Sequence, residues 1–421
     1  MTALNFPDSP SNGDTYQGYT YNSTKGTWTK EASSSATEPP VILTEPPTTT
    51  QALNSDGSTS TVTMLAQDPE GFAVTYGIAY KTASNARPTQ LGADTTINQS
   101  TGVYTFTPST NQAHAGGFRA RLSATDGVSY TTRLVDFSLS FTFNVEYLLV
   151  AGGGAGGNGG SGGGGGGAGG LLTATRTVSP GDTLNVTVGS GGAAWSSAYS
   201  TSGNAGGNST IVHGSTTLTA YGGGFGSSAG PSPYNSPGGN GGSGGGGAQR
   251  STSAGGVGVY PGSSHIDEPR QGYDGGVGGT GTDHGGGGGG AGGAGTNSSG
   301  SSNGGAGGVG LQSNITGTAT YYAAGGGGAG NGNGALGGSS IGGTGAGSSP
   351  GTGNANGTAG AANTGSGGGG ANYGGTSGAG ADGVVIFRTT KTASSTTGSP
   401  TVTQDGSYNV YQFNADGTIT F

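Results

Sequence analysis

The chain of 421 residues contains no cysteine and few charged side chains. The absence of cysteine excludes disulfides, a thiolate nucleophile and a cysteine-based zinc site. Charged residues make up 8% of the chain and the formal net charge is −8, which argues against nucleic acid as a partner because phosphate binding needs a basic surface. No apolar run is long enough to cross a bilayer, and the first residues lack the basic and apolar regions of a secretory signal. We therefore expect no membrane insertion.

Large apolar side chains are also scarce, whereas glycine is abundant. Hydrophobic residues form 29% of the chain, and most of its 103 glycines lie between residues 151 and 383, a stretch without lysine. A conventional large core is therefore not available to this middle segment. Disordered chains usually carry more charge and proline than this segment does, so its composition is unusual for disorder as well.

Composition and strand patterns divide the chain into five segments, which together predict an all-β protein. Residues 1–30 alternate aromatic residues with turn signals and are predicted to form a small β-module, and 31–50 is a linker rich in Pro and Thr. Residues 51–144 contain short alternating runs separated by turns, which predicts a β-sandwich. The glycine-rich segment 145–389 follows, and 390–421 is predicted to be a C-terminal β-hairpin module.

One long strand is predicted at the end of the sandwich. Every second residue from Val135 to Leu149 is apolar, and residues two apart lie on the same face of a strand. This strand leads directly into the glycine-rich segment. We therefore expect a rigid connection between the sandwich and that segment.

The glycine runs show a period of three. Non-glycine residues recur at every third position, as in Asn303, Ala306 and Val309, and three residues per turn is the repeat of polyproline II. In such a helix two of the three ridges carry no side chain, so neighbouring helices can approach until their backbones hydrogen-bond to each other. We predict a bundle of polyglycine II rods with the third-position side chains on an outward ridge. Strands in VEYLLVAGGG (145–154) and GVVIFRTT (383–390) should bracket the bundle as neighbours in one sheet.

The sandwich segment contains AQDPEGFAVTYGI, TGVYTFTP and FRARLSATDGVS. This pattern is similar to the cadherin-like and immunoglobulin-like repeats of bacterial and phage surface proteins. In those families the acids of the DPEG and DG turns can bind calcium, which the resemblance places at Asp68, Glu70 and Asp126. The alternative is that the three acids only form turns, for which Asp and Gly are favoured locally. The turn interpretation, with no cofactor, is favoured because a calcium site needs six or more oxygens.

The glycine-rich segment contains YLLVAGGGAGG, SPGDTLNVTVGSGG, ITGTATYYAAGGGG and GVVIFR. It resembles the glycine-rich domain of fibre and other virion proteins of marine, cyanophage-like bacteriophages, and both terminal modules resemble modules of the same proteins. The resemblance implies a fibre or adhesin on the virion surface, made in the host cytoplasm and usually trimeric. Its implied partners are other virion proteins of the tail or capsid and a host-surface glycan or outer-membrane protein. Related adhesins display receptor-binding loops on polyglycine sandwiches.

Two other functions remain open. The protein could decorate a capsid or form a head fibre without receptor specificity, or it could bind ice as small polyglycine proteins do. Ice binding favours one long flat face of short repeats, whereas aromatic-bearing loops interrupt the runs here. None of the four histidines lies in an HExxH or GxSxG motif, and no GK[ST] follows a glycine run, so we do not expect an enzyme.

The interruptions between glycine runs supply the candidate receptor-binding residues. Aromatic side chains on loops rich in Gly and Ser give a large contact area for a small loss of entropy, although the same rings could instead cover the ends of the bundle. The aromatic candidates are Trp195, Tyr199, Tyr234, Tyr260 and Tyr273. The charged candidates, which form one dense cluster, are His265, Asp267, Glu268 and Arg270.

Overall fold

The computed structural model describes residues 8–16, 19–30, 38–82, 84–159, 162–196, 203–228, 237–249, 253–259, 269–279, 284–299, 303–347, 355–372 and 374–421. The chain forms two compact units, Met1–Phe141 and Thr142–Phe421. Its architecture is all-β, as predicted. Apart from two 3₁₀ turns, Gln112–His114 and Gly338–Ser340, the regular elements of the described residues are strands. None of these residues belongs to a helix long and apolar enough to span a membrane.

The first unit contains a small meander and a sandwich. Its strands are β1 Thr15–Tyr16, β2 Tyr19–Asn22, β3 Thr27–Lys30, β4 Val41–Thr44, β5 Gln51–Leu53, β6 Ser60–Thr63, β7 Leu65–Gln67, β8 Thr75–Tyr80, β9 Thr96–Asn98, β10 Val103–Phe106, β11 Gly116–Thr125 and β12 Tyr130–Leu139. The meander is the sheet β1-β2-β3, in which the ring of Trp28 lies 5.3 Å from that of Tyr21. The sandwich contains the sheets β6-β10-β9, β5-β12-β11-β8 and β4-β7.

Alternating apolar residues of the sandwich strands form its core. The inward side chains of β10 include Tyr104 and Phe106, and those of β11 and β12 include Leu122 and Phe137. The rings of Phe106 and Phe137 lie 4.5 Å apart. Because side chains alternate between the two faces of a strand, the residues between these positions face outward.

The second unit begins with a sheet strand and contains the glycine runs. Its strands are β13 Phe143–Val150, β14 Asn158–Gly159, β15 Leu171–Val178, β16 Thr183–Thr187, β17 Ser209–His213, β18 Thr216–Ala220, β19 Leu311–Ser313, β20 Thr320–Tyr322, β21 Ala371–Asn372, β22 Val384–Thr389, β23 Ser395–Thr396, β24 Thr401–Asp405, β25 Tyr408–Phe413 and β26 Gly417–Thr420. Two five-stranded sheets, β15-β13-β22-β25-β24 and β18-β17-β16-β26-β23, share one core. β13 pairs with β22, which confirms the predicted bracketing of the bundle.

The prediction of a single long strand over 135–149 is wrong. β12 ends at Leu139 and β13 begins at Phe143, and the two strands belong to different units. Phe137 packs in the core of the sandwich, whereas Tyr147 packs in the core of the second unit. The apolar alternation continues through both strands with the same period, so the pattern alone could not show the break.

The C-terminal residues contain the hairpin β24–β25, but they do not form a module of their own. Residues 390–421 were expected as a separate module, but β25 pairs with β22 in one five-stranded sheet and β26 pairs with β16 in the other. Phe413 and Ile419 are fully buried in the core that these sheets share. The second unit therefore needs its last strands to complete both sheets.

The glycine runs form hydrogen-bonded rods. In the rod 151–159, consecutive backbone amides donate to three different neighbouring segments, and the same three segments recur three residues later. The donor and acceptor pairs are Gly152–Gly207, Gly153–Ala381 and Gly154–Gly167, followed by Ala155–Asn204, Gly156–Gly378 and Gly157–Gly164. A threefold helix points successive amides in three directions, so this pattern is the backbone repeat that the sequence predicts.

One rod is enclosed on all sides. The rod 162–170, called the central rod below, exchanges backbone hydrogen bonds with six neighbours. These neighbours are 151–159, 221–228, 243–249, 284–290, 323–330 and 365–372. They also hydrogen-bond to one another in that ring, for example from Gly226 to Ala155 and from Gly288 to Gly326. The bundle is therefore a hexagonal packing of extended chains.

This packing requires glycine because the backbones touch. A Cβ built at Gly157 would overlap the carbonyl oxygen of Ser227, and one built at Gly166 would overlap that of Gly154. Within the rod 151–159 and residues 163–170, no residue has a positive φ, and Gly337 of another run has φ −69° and ψ 157°. These glycines are thus selected for their lack of a side chain, not for left-handed geometry.

The outward-ridge prediction holds only for rods at the surface. Asn303, Ala306 and Val309 are exposed at every third position. In the interior, by contrast, the third-position residues Ala155 and Ala168 are completely buried. An interior rod has neighbours on all sides, so only a small side chain fits there.

Asparagine oxygens bind amides along the surface of the bundle. An amide that points away from the interior meets no further rod, and an unpaired backbone group is costly where it is shielded from water. The Oδ1 atom of Asn297 accepts from the Val277 amide at 2.8 Å, and that of Asn356 accepts from the Thr376 amide at 2.7 Å. A side chain on one surface rod thus replaces the missing carbonyl for the next.

We expect Gly157→Ala to destabilise the second unit. The new Cβ would separate rods and break bonds such as that from Gly157 to Gly164, and leaving buried partners unpaired costs about 1–3 kcal/mol each. The free energy of unfolding from denaturant titration measures the loss. Ala306→Leu, at an exposed third position, is the control and should change stability by less than about 0.5 kcal/mol. Equal stability of the two variants would contradict the packing described here.

We also expect Asn297→Ala to lower stability by about 1 kcal/mol, since it removes the acceptor of the Val277 amide. Asn303→Ala, on an exposed ridge of the same bundle, is the matched control for the loss of an asparagine and should have little effect. Hydrogen exchange at the Val277 amide gives the local measurement. Faster exchange in Asn297→Ala alone is the expected result, and unchanged exchange would contradict the role of this oxygen.

Candidate functional site

The bundle has two chemically different ends. Ala151 donates to Gly170, and Gly170 donates to Tyr221, so the rods that adjoin β13, β15 and β18 meet these strands at one end. This end is called the strand end below. The rods run from it to the opposite end, called the distal end, where the amide of Asn158 donates to Ser228 Oγ at 2.9 Å and that of Gln249 to the Gly162 carbonyl at 3.3 Å.

Buried polar side chains gather at the distal end. They are Asn158, Gln249, His284, Asn331 and Asn372. Two of them cross from one rod to another: Asn158 Nδ2 donates to the Gly375 carbonyl at 2.6 Å, and Asn372 Nδ2 to the Gly330 carbonyl at 2.9 Å. The sequence analysis did not select these residues. The available signal was a polar residue that interrupts or borders a glycine run.

Several chain connections begin and finish at the distal end. The residues that flank 160–161, 229–236, 250–252 and 373 belong to this end, as the hydrogen bonds of Asn158, Ser228 and Gln249 show. Trp195 lies here too, because its amide donates to Ser377 Oγ at 3.0 Å and Ser377 is two residues from Gly375. The indole of Trp195 is partly buried. The candidates Tyr199 and Tyr234 lie outside the described residues.

Arg270 and Tyr273 belong to the strand end. The amide of Tyr273 donates to Gly290, and the carbonyl of Gln271 accepts from Leu171, the first residue of β15. The guanidinium of Arg270 lies 4.3 Å from the centre of the Tyr273 ring, a cation–π contact. Tyr260, His265, Asp267 and Glu268 lie outside the described residues. The structure therefore brings Arg270 and Tyr273 together but does not bring Trp195 to them.

A histidine and a carboxylate are in contact at a position that the sequence analysis did not select. His213 Nε2 lies 2.9 Å from an oxygen of Asp182, and Arg176 Nε donates to His213 Nδ1 at 2.7 Å. The pKa of Asp182 is lowered mainly by the hydrogen bond from the Ser179 amide, and the hydrogen bond with His213 contributes less. Both ring nitrogens are thus hydrogen-bonded, so neither remains to act as a general base. The contact holds the β15–β16 turn against β17.

The structure brings two of the three calcium candidates together. Asp68 Oδ1 accepts from the Glu70 and Phe72 amides at 2.9 and 3.0 Å, and Asp126 Oδ1 accepts from the amides that follow it. Both carboxylates therefore bind turn amides, and their Oδ2 atoms are buried without a hydrogen-bond partner. A carboxylate oxygen of Glu70 instead lies 3.4 Å from the Glu38 amide.

The donor set fits a calcium ion only in part. The Asp68 carboxyl is close enough to Asp126 to contribute to the lowered pKa of that residue, and buried oxygens such as these could face a cation. Calcium, however, takes six to eight oxygens. Among the residues that the structure describes, no three acidic, His or Cys side chains gather as a metal cluster.

The family comparison agrees with the architecture. A family model described as glycine-rich domain matches residues 135–390, more than half of the chain. The chain belongs to the glycine-rich domain family. The matched range contains the rods and both bracketing strands, β13 and β22. No curated protein matches the chain.

We expect the stability of the sandwich to fall on acidification. Hydrogen bonds from the Val128 and Ser129 amides hold the pKa of Asp126 below its ordinary value. A carboxyl with a lowered folded-state pKa stabilises the fold above its unfolded pKa, and this contribution is lost as the pH falls through the folded value. Thermal melts should show this loss below about pH 4.

Asp126→Asn should reduce the pH dependence of the melts, since the amide keeps an acceptor oxygen but does not titrate in this range. Asp94→Asn, at an exposed site, is the control for removal of a carboxyl. An Asp126→Asn variant with the full acid dependence would contradict the assignment. Calcium should leave the melting temperature unchanged; an increase that Asp126→Asn removes would instead establish a bound cation.

Proposed function

We propose that this protein is a structural protein of a bacteriophage particle, a fibre or adhesin on the virion surface. In this proposal the bundle is a rigid scaffold, and the connections at its distal end bind the host cell. The observation that carries the proposal is the difference between the two ends. The strand end continues into two packed sheets, whereas repeated chain connections leave from the distal end.

The scaffold supports display because backbone contacts fix the bases of these connections. The rods that flank 229–236 are held by bonds such as those from Ser227 to Gly246 and from Gly238 to Ala254. Neither bond depends on a side chain of the connection. A connection can therefore change in sequence without loss of the scaffold, which is the property that recognition loops need.

The composition of the distal connections suits contact with a surface. Trp195, Tyr199 and Tyr234 lie in or beside the connections 197–202 and 229–236, which are otherwise rich in Ser, Gly and Pro. Aromatic side chains in such a setting give large contacts at low entropy cost. The proposed partner is a glycan or an outer-membrane protein of the host. Tyr260, His265, Asp267 and Glu268 lie outside the described residues, and the surface proposed here is limited to the distal end.

The assembly state follows from the resemblance of the sequence to virion fibres. We propose a homotrimer that attaches to other virion proteins of the tail or capsid. Light scattering on the purified chain tests the trimer, and immunogold labelling of purified particles tests the virion location. A monomer, or unlabelled particles, would contradict these two parts of the proposal separately.

Adsorption of labelled protein to intact host cells tests the receptor surface. We expect Trp195→Ala combined with Tyr234→Ala to weaken adsorption about thirtyfold or more, since a central aromatic contact is commonly worth about 2 kcal/mol. Tyr273→Ala, at the strand end, is the matched control and should adsorb normally. Melting curves check that all variants are folded.

Two outcomes would overturn the receptor assignment. If the double variant adsorbs like the original protein while Tyr273→Ala does not, the strand end carries the binding surface. If labelled protein does not adsorb to host cells but particles are labelled, the protein is a decoration or head fibre without receptor specificity.

A further inference from the structure

The outer face of the sheet β5-β12-β11-β8 carries a depression of about 350 Å³. This volume lies within the range of small-ligand sites. Its lining residues all belong to the first unit, whereas the residues of the proposed receptor surface belong to the second. Its lining residues include Gly77, Ala79, Arg121, Ser123, Tyr130 and Thr132.

Small residues make the floor of the depression. Ser123 of β11 is paired with Gly77 of β8 on one side and with Thr132 of β12 on the other. One pair further along, Ala79 lies beside Arg121. A Cβ at Gly77 would lie 2.9 Å from Ser123 Oγ, so the depression is open at this position because residue 77 has no side chain.

Two long side chains stand at the margin of this floor. Tyr130 is 70% exposed and presents a flat ring with a hydroxyl, and Arg121 presents a guanidinium. The hydroxyls of Ser123 and Thr132 lie between them. Such a surface can bind a sugar ring in two ways. The aromatic ring packs on the C–H groups of the sugar, and the hydroxyls and the guanidinium hydrogen-bond to its hydroxyls.

The charge of the depression indicates an acidic ligand. Arg119 of the same strand forms two hydrogen bonds with Asp136, and Arg133 forms two with Glu45. Among the described residues, Arg121 has no acidic partner. In a chain of net charge −8, a guanidinium without an ion pair leaves a local site for an anion. The planar fork of arginine matches a carboxylate with two parallel bonds.

We propose that this depression binds a carboxylated sugar, such as one uronic acid residue of a surface polysaccharide. The sugar ring packs on Tyr130, its carboxylate pairs with Arg121, and its hydroxyls bond to Ser123 and Thr132. A second copy of this chain is a poorer occupant, because each copy carries the same net negative charge. The site would act in addition to the proposed receptor surface and does not depend on it.

Titration calorimetry of the full chain with tetragalacturonate tests the site, with the neutral tetrasaccharide of galactose as the ligand control. We expect binding of the acidic sugar, and weakening of about tenfold or more in Arg121→Gln, because a hydrogen bond to a charged group is lost. Tyr130→Ala should weaken both the acidic and any residual neutral binding. Arg87→Gln removes one positive charge outside the depression and should bind like the original protein. Both site residues are exposed, so the variants should fold.

The expected salt dependence adds a second measurement. Affinity for tetragalacturonate should fall with ionic strength in the original protein and much less in Arg121→Gln. No binding by the original protein, equal weakening in Arg121→Gln and Arg87→Gln, or equal affinity for the neutral sugar would each overturn the proposal. Concentration-dependent dimerisation that Tyr130→Ala abolishes, without sugar binding, would show that a second copy occupies this face.

Discussion

The direct hydrogen bond between the backbones of neighbouring rods is the interaction on which the second unit depends. An extended threefold chain satisfies none of its own amides or carbonyls, and glycine loses more conformational freedom on folding than any other residue. A single run therefore gains nothing by becoming ordered alone. In the hexagonal packing, every direction of the central rod meets another backbone, so the ordering of one rod provides partners for the others. The stability of the bundle is thus collective, and a Cβ at an interior glycine disturbs several rods together.

The boundaries of this packing explain much of the remaining structure. At the strand end the rods continue into two sheets that bury side chains such as Phe387 and Phe413, which supplies the apolar burial that glycine cannot. Around the sides, oxygens such as Asn297 Oδ1 replace absent neighbours. At the distal end, buried amide side chains such as Asn158 and Asn372 bond across rods. The sides and the distal end thus solve the same problem, the pairing of polar backbone groups where the packing of rods stops.

The period of three was sufficient to predict rods, and the flanking apolar runs were sufficient to predict that β13 and β22 are neighbours. The order of the rods could not be predicted, because GGx triplets offer almost no side chains by which one run differs from another. For the same reason the burial of Ala155 was missed: the repeat shows which position carries a side chain but not whether the rod is interior. In the sandwich, Asp68 and Asp126 could be selected from turn motifs, but the contact between their carboxyl groups depends on tertiary packing. Arg121 and Tyr130 give no sequence signal, since only the pairing of β8 with β11 and β12 places them beside Gly77.

The same constraint separates the parts of the chain that can vary from those that cannot. Interior glycines meet backbone atoms, which cannot move aside as a side chain can, so nearly any substitution there is resisted. The segments between rod ends carry no such restriction, since the bonds that hold their bases lie within the rods. A protein built in this way can change its distal surface freely while its scaffold stays the same. The stability of an ordinary core depends on how many side chains fit together. The stability of the bundle depends instead on interior positions that have no side chain.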